Sequence, residues 1–233
     1  MNPRTLDHVA FWVADRDAIA DFATRHLGMH VIDRTDKFTL VGSDARRGKL
    51  TLFEAEGPRE RGALKHVALR VSDLEDALAA LPEGIELERP REGEAYFEVG
   101  EGLELGLVEA PTDVDYDLDH AALLADQPED AAATYRELGF SSAEPGPSGA
   151  PRVEVGSAFV EFHPGDPGDP ERPLLNHLAV LVDSADAHID EARNTGLEID
   201  DIVDAPNTYA LFLRGPDRVR IEYVEHKPTF SLR

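Results

Sequence analysis

The chain has 233 residues, room for one large domain or two small ones, and no cysteine, which excludes disulfides, thiolate metal sites and cysteine nucleophiles. Asp and Glu number 47 against 23 Lys and Arg, a formal net charge of −24; such a field repels nucleic-acid backbones and anionic lipid, so neither partner is expected. The only lysines are Lys37, Lys49, Lys65 and Lys227, and an acid-rich, lysine-poor surface of this kind suits a halophilic, salt-filled cytoplasm that screens self-repulsion.

The first alternating stretch follows directly on Met1-Asn2-Pro3-Arg4-Thr5 without an apolar leader, and nothing approaches the ~18 apolar residues of a membrane span. A soluble, cytoplasmic protein is expected. That stretch contains Leu6-Asp7-His8-Val9-Ala10, and the signature recurs as Leu64-Lys65-His66-Val67-Ala68, Leu118-Asp119-His120-Ala121-Ala122 and Leu175-Asn176-His177-Leu178-Ala179. The chain therefore reads as four modules of a little over fifty residues.

Within each module an Asp or Ser closes the apolar run (Asp15, Ser72, Asp126, Asp183), as at a capped helix start. An amphipathic segment follows, and a glycine stops it in register at Gly28, Gly84, Gly139 or Gly196. Alternating runs then complete the unit, at 37–41 with 49–53, 96–99 with 103–108, 152–155 with 158–162 and 209–213 with 218–224. The fold class is α+β, four βαβββ modules. Pairing one with two and three with four predicts two domains, 1–112 and 113–233, divided at the acidic, proline-bearing segment 110–115. The Pro/Gly-rich segment 164–173 reads as a connection between modules three and four or as a loop over a cleft mouth.

Paired modules of this kind with a histidine in the first strand resemble the vicinal oxygen chelate superfamily, which includes glyoxalase I, bleomycin and fosfomycin resistance proteins, methylmalonyl-CoA epimerase and the extradiol dioxygenases. The four-module layout is similar to that of the two-domain extradiol (catechol 2,3-) dioxygenases. The resemblance implies a 2-His-1-carboxylate iron centre made by His120, His177 and Glu222 in the C-terminal pair, an arrangement that leaves positions free for a diol and O₂. It further implies His163, fourteen residues before His177, as a proton shuttle. The tyrosine of the family motif aligns with Phe212, and the nearby Tyr209 is the candidate in its stead.

The function implied is a metal-dependent enzyme, an Fe(II) extradiol-type dioxygenase that takes a catecholic small molecule and O₂. An alternative is a glyoxalase- or epimerase-like lyase or isomerase with Mn, Ni or Zn, in which Glu161 supplies a fourth ligand. A further alternative is a metal-free small-molecule binder of the bleomycin-resistance type. In the N-terminal half, His8 and His66 read as inherited core histidines, with a site of His8, Glu54, His66 and Glu104 as the other reading. A homo-oligomer remains open; the modules already complete two barrels in one chain.

Overall fold

The computed structural model describes residues 1–232, and modules one, three and four take the expected βαβββ form while module two lacks its second strand. Module one is β1 (Thr5–Val13), α1 (Arg16–His26), β2 (His30–Arg34), β3 (Phe38–Gly42) and β4 (Lys49–Glu54). Module two is β5 (Leu64–Val71), α2 (Leu74–Ala79), β6 (Glu94–Gly100) and β7 (Leu103–Glu109). Its second strand is reduced to a Glu88–Tyr96 bridge in a stretch flanked by Pro82 and Pro90, where prolines cannot donate to a ladder. Module three is β8 (Asp117–Ala125), α3 (Pro128–Glu137), β9 (Ser141–Ser142), β10 (Arg152–Val155) and β11 (Ala158–Pro164). Module four is β12 (Leu175–Leu181), α4 (Ala185–Thr195), β13 (Ile199–Asp204), β14 (Thr208–Arg214) and β15 (Arg220–His226), with a 3-10 turn over Pro216–Arg218.

The helix starts are set by local chemistry. Asp15, Asp73 and Ser184 accept from the amides of Ala18, Asp76 and Ala187, while Pro128 opens α3 without a side-chain cap. Three starts thus fall one residue beyond the predicted Ser72, Asp126 and Asp183: at two of them the next side chain, Asp73 or Ser184, caps the first turn, and at the third Pro128 fixes the first helical position. Glu101, from module two, accepts from both Ala14 and Asp15 at 2.7 Å and so caps α1 from a different module.

The module pairing differs from the sequence expectation. One sheet has the order β13-β14-β15-β12-β1-β4-β3-β2 and the other β6-β7-β5-β8-β11-β10-β9, so module one joins module four and module two joins module three. The division into 1–112 and 113–233 is therefore not the division between sheets. The reason lies in the connections. Either pairing buries the same faces, and segment 110–116, read as a boundary, only crosses the end of β5, from β7 on one side to β8 on the other. That span is two strand spacings, roughly 10 Å, which seven residues cover easily.

Each sheet has two unlike faces. In β1, Val9, Phe11 and Val13 are fully buried toward the helices, and β12 and β15 contribute Leu178, Val180, Ile221 and Tyr223 to the same apolar cluster. This core is continuous across both sheets, with Phe22 of α1 against Phe97 of β6 at 5.9 Å. By the period-two alternation of strands, His8, Ala10, Trp12, His177, Ala179 and Glu222 are left for the opposite face, which forms a cleft. The segment 165–174 forms part of the wall of a pocket in that cleft, Pro170, Glu171, Arg172 and Pro173 facing Trp12.

Candidate metal centre between modules one and four

The central strands β1 and β12 run antiparallel with Ala10 opposite His177 and His8 opposite Ala179, and β15 lies parallel to β12 with Glu222 beside Ala179. This register brings three donors to one point. Nε2 of His8 and Nε2 of His177 are 3.0 Å apart, and Oε2 of Glu222 lies 3.2 Å from the first and 3.0 Å from the second. All three side chains are at least largely buried.

The opposite nitrogens of both imidazoles are already engaged. Nδ1 of His8 faces the Asp7 carboxylate at 2.8 Å and Nδ1 of His177 faces Oδ1 of Asn176 at 2.9 Å. Such partners fix the ring orientation and direct the Nε2 lone pairs inward, as carboxylate- or amide-supported imidazole ligands require. Three mutually adjacent donors with edges of 3.0–3.2 Å match one face of an octahedron with bonds of about 2.1–2.2 Å. The donor set therefore fits a divalent ion.

Asp7 anchors a buried charge network. It is 1% exposed and accepts from Lys49 Nζ at 2.7 Å, while its second oxygen lies 3.0 Å from His226 Nε2. Burial opposes its ionisation, but Lys49, His226 and His8 outweigh that and hold its carboxyl well below the usual range. Burial likewise opposes charge on His8, yet Asp7 and Glu222 raise it to about 9. For His177 burial prevails over the attraction of Glu222, and it is pushed down. Burial would raise Glu222, but His177 and His8 keep it strongly depressed. Without a cation the cluster thus holds its proton on His8.

The second sheet repeats this register. His66 lies opposite Ala122, Ala68 opposite His120, and Glu161 beside Ala122, so His66, His120 and Glu161 occupy the positions of His8, His177 and Glu222. The trio is not drawn together there. Nε2 of His66 and His120 are 3.1 Å apart, but Glu161 contacts His163 at 3.1 Å and Ser148 at 3.4 Å. Lys65 replaces the acceptor that precedes the other three histidines, and Nδ1 of His66 is buried without a hydrogen bond. Burial, with His120 and Lys65 nearby, drives His66 down to about 2.

Several sequence expectations are corrected by this geometry. His120, Glu161 and His163 belong to the other cleft and do not meet His177 and Glu222, because module three pairs with module two. Tyr209 shares a face with Leu211 and Leu213, packs against the helix-side core and neighbours Asp186 of α4; Phe212 is the residue that faces His177, edge-on at 5.3 Å. Glu54 is exposed beside Arg16, and Glu104 pairs with Arg61 and lies 3.7 Å from Nδ1 of His66; His8 and Glu54 are in one sheet and His66 and Glu104 in the other, so the four do not form a shared site. His8, read as an inherited core residue, completes the cluster. Asp7 and Asn176 were missed, although the residue preceding each repeat histidine was the available signal; Lys49 and His226, from β4 and β15, reach Asp7 only through the tertiary pairing and carry no such signal. On β4, Thr51 stands beside Ala10 as Glu222 stands beside Ala179; it occupies the place where a fourth ligand would arise, and Gly106 does so in the second sheet.

With the site described, comparison with known proteins gives its class. The family model described as "Glyoxalase/Bleomycin resistance protein/Dioxygenase superfamily" matches residues 5–93 and 117–223, and the chain belongs to that superfamily. No curated protein sequence matches it. Among solved structures, a protein described as a putative dioxygenase from Bacillus subtilis is similar, at TM-score 0.79 and 17% identity over 98% of this chain and 87% of that one. Glyoxalase I from Zea mays aligns at TM-score 0.74 and 15% identity over 95% and 92%, and the cppA protein of Streptococcus pneumoniae at 0.62 and 16% over 96% and 99%. At these identities the likeness concerns the fold, and the chemistry must be argued from the site.

Proposed function

We propose that the protein is an Fe(II)-dependent extradiol-type ring-cleaving dioxygenase acting on a catecholic substrate, its metal held by His8, His177 and Glu222. The observation that carries this reading is the three-donor set, two imidazoles and one carboxylate, with Thr51 where a fourth acid would stand. A glyoxalase- or epimerase-like reaction was expected to use four protein ligands, and Glu161, the residue expected to be the fourth, lies in the other sheet.

Bound there, iron(II) supplies a Lewis acid with open positions for a chelating diol and the electrons that O₂ chemistry requires. The chain's own groups prepare that site. Asp7 and Asn176 hold the two rings with Nε2 inward, and His8 gives up its proton when a cation arrives. Phe53 and Phe212, 6.1 and 5.3 Å from the His177 ring, line an apolar floor with Ala179, Ala210 and Val224, which keeps water from the reacting face and suits a flat aromatic ring.

The test is metal content and oxygen uptake on protein purified anaerobically in high salt. About one Fe per chain, with O₂ consumed on addition of catechol, supports the proposal. One Ni, Zn or Mn with turnover under anaerobic conditions would replace it with the isomerase reading. Absence of metal after reconstitution, with a ligand bound but unchanged, would replace it with the binding-protein reading.

A further inference from the structure

Beside the metal cluster, on the same face of the sheet, is a cavity of about 640 Å³. In a chain of net charge −24, four of its eleven lining residues are arginines: Arg172, Arg214, Arg218 and Arg220. Arg220 lies two residues before Glu222 on β15, and Arg214 is its direct cross-strand partner on β14. Like charges placed directly opposite on one sheet face are unfavourable, and they persist here because Asp200 bridges them, 2.6 Å from Nε of Arg220 and 2.6 Å from a terminal nitrogen of Arg214. That contact leaves both terminal nitrogens of Arg220 for another acceptor.

Aromatic groups continue the pocket toward the metal cluster. The Arg220 guanidinium lies over Phe212 at 4.4 Å, and Phe212 is the ring that meets His177. One aromatic ring thus separates the arginine from a metal ligand. On the opposite wall Trp12 sits beside Phe53 at 5.3 Å, and Arg172 of segment 165–174 lies over Trp12 at 5.8 Å. Arg172 has no carboxylate partner among the described residues. The lining charges are four arginines against Glu171 and Asp200, and Arg218 is paired with Asp169 at the rim, which leaves a net excess of one positive charge.

We infer that this pocket is an anion subsite, and that the substrate is an aromatic acid whose carboxylate is held by Arg220, Arg214 and Arg172 while its chelating oxygens reach toward His8, His177 and Glu222. The planar guanidinium fork matches a carboxylate with two parallel hydrogen bonds, and Phe212, in contact with both Arg220 and the His177 ring, offers an aromatic surface between the two ends. The inference deepens the proposed dioxygenase reading by naming its substrate class. Its test, however, needs neither metal nor turnover.

Trp12 is the sole tryptophan and lines the pocket, so its emission reports occupancy directly. Metal-free protein is titrated with benzoate and with benzyl alcohol, exciting Trp12 alone. Benzoate is expected to change the emission saturably and to bind at least tenfold more tightly than benzyl alcohol. Arg220→Gln and Arg172→Gln are each expected to weaken benzoate at least tenfold and leave benzyl alcohol unchanged. Arg172→Gln removes no ion pair, so it remains informative where Arg220→Gln destabilises the fold. Equal affinity for the two probes, or benzoate affinity unaltered in Arg172→Gln, overturns the subsite. Displacement of benzoate by inorganic phosphate at lower concentration than by acetate overturns the carboxylate assignment in favour of a phosphate ester. Benzoate binding that meets these criteria in a protein without oxygen uptake leaves the subsite standing and removes the dioxygenase; iron and oxygen uptake without benzoate binding does the reverse.

Discussion

Replacing Asp7 by Asn keeps the shape of the side chain and removes its charge, and the consequences follow from its three partners. Lys49 is 3% exposed and its ammonium lies 2.7 Å from Asp7; stripping the counter-charge from such a buried pair costs about 3–5 kcal/mol. His8 adds a pH-dependent part. Its pKa of about 9 against 6.5 corresponds to at most about 3–4 kcal/mol at ~1.4 kcal/mol per unit. Because the folded pKa is raised, this stability is complete below about pH 6.5 and is lost as pH rises through about 9. Urea unfolding of metal-free protein at about pH 6 and about pH 9.5 measures both parts. The wild type should lose up to about 3 kcal/mol between the two pH values. Asp7→Asn should be less stable at pH 6 by about 3 kcal/mol or more and show a smaller pH difference. Adding Lys49→Met should restore much of the loss, since it removes the orphaned charge. An Asp7→Asn variant within about 1 kcal/mol of wild type at pH 6 would refute the buried network as described.

The other predictions address the site and its pairing. Binding of a divalent metal at about pH 7.5 should release about one proton per ion, because the ion displaces the proton that His8 holds up to about pH 9; calorimetry in buffers of different ionisation heat measures it, and zero release contradicts the assignment of His8. Glu222→Ala should weaken metal binding at least about 100-fold, whereas Glu161→Ala should leave it unchanged, and equal losses in a metal titration would point back to a shared site. Tyr209→Phe should leave kcat and KM for oxygen uptake unaltered, since Tyr209 faces α4; a tenfold loss of kcat would place it in the cleft. Gly48→Ala should destabilise by about 3 kcal/mol or more, because Gly48 has φ of +62° and a Cβ there would lie 2.1 Å from the Tyr116 carbonyl oxygen. Gly84→Ala, with φ of +84° and open space around it, should cost only the backbone strain of about 1–2 kcal/mol, and equal melting temperatures for the two variants would refute the contact.

The sequence by itself determined the module. The histidine signature, the caps that follow it and the glycines Gly28, Gly84, Gly139 and Gly196, all at positive φ, are local features, and each is written within about twenty residues. The face of each strand was legible for the same reason, since alternation in β12 and β15 sets His177 and Glu222 opposite the helix-side core. The acceptors beside the histidines were legible too, as Asp7, Asn176 and Asp119, although their meaning emerges only once Nδ1 is seen to meet them.

Only the tertiary structure decided which modules share a sheet. The first strands of all four modules carry nearly the same apolar face, so hydrophobic pattern gives no preference between partners, and connections of seven to ten residues at 55–63, 110–116 and 165–174 permit more than one arrangement. The choice is made by long-range fit. Tyr116 packs beside Gly28 and Gly48 of module one, Glu101 caps α1, and Tyr223 donates to Leu138 at 2.7 Å from module four to module three. That choice moves His8 from an inherited core position into the cluster with His177 and Glu222 and keeps His120, Glu161 and His163 out of it, because a donor set assembled from two modules is a property of their pairing and is encoded in neither alone.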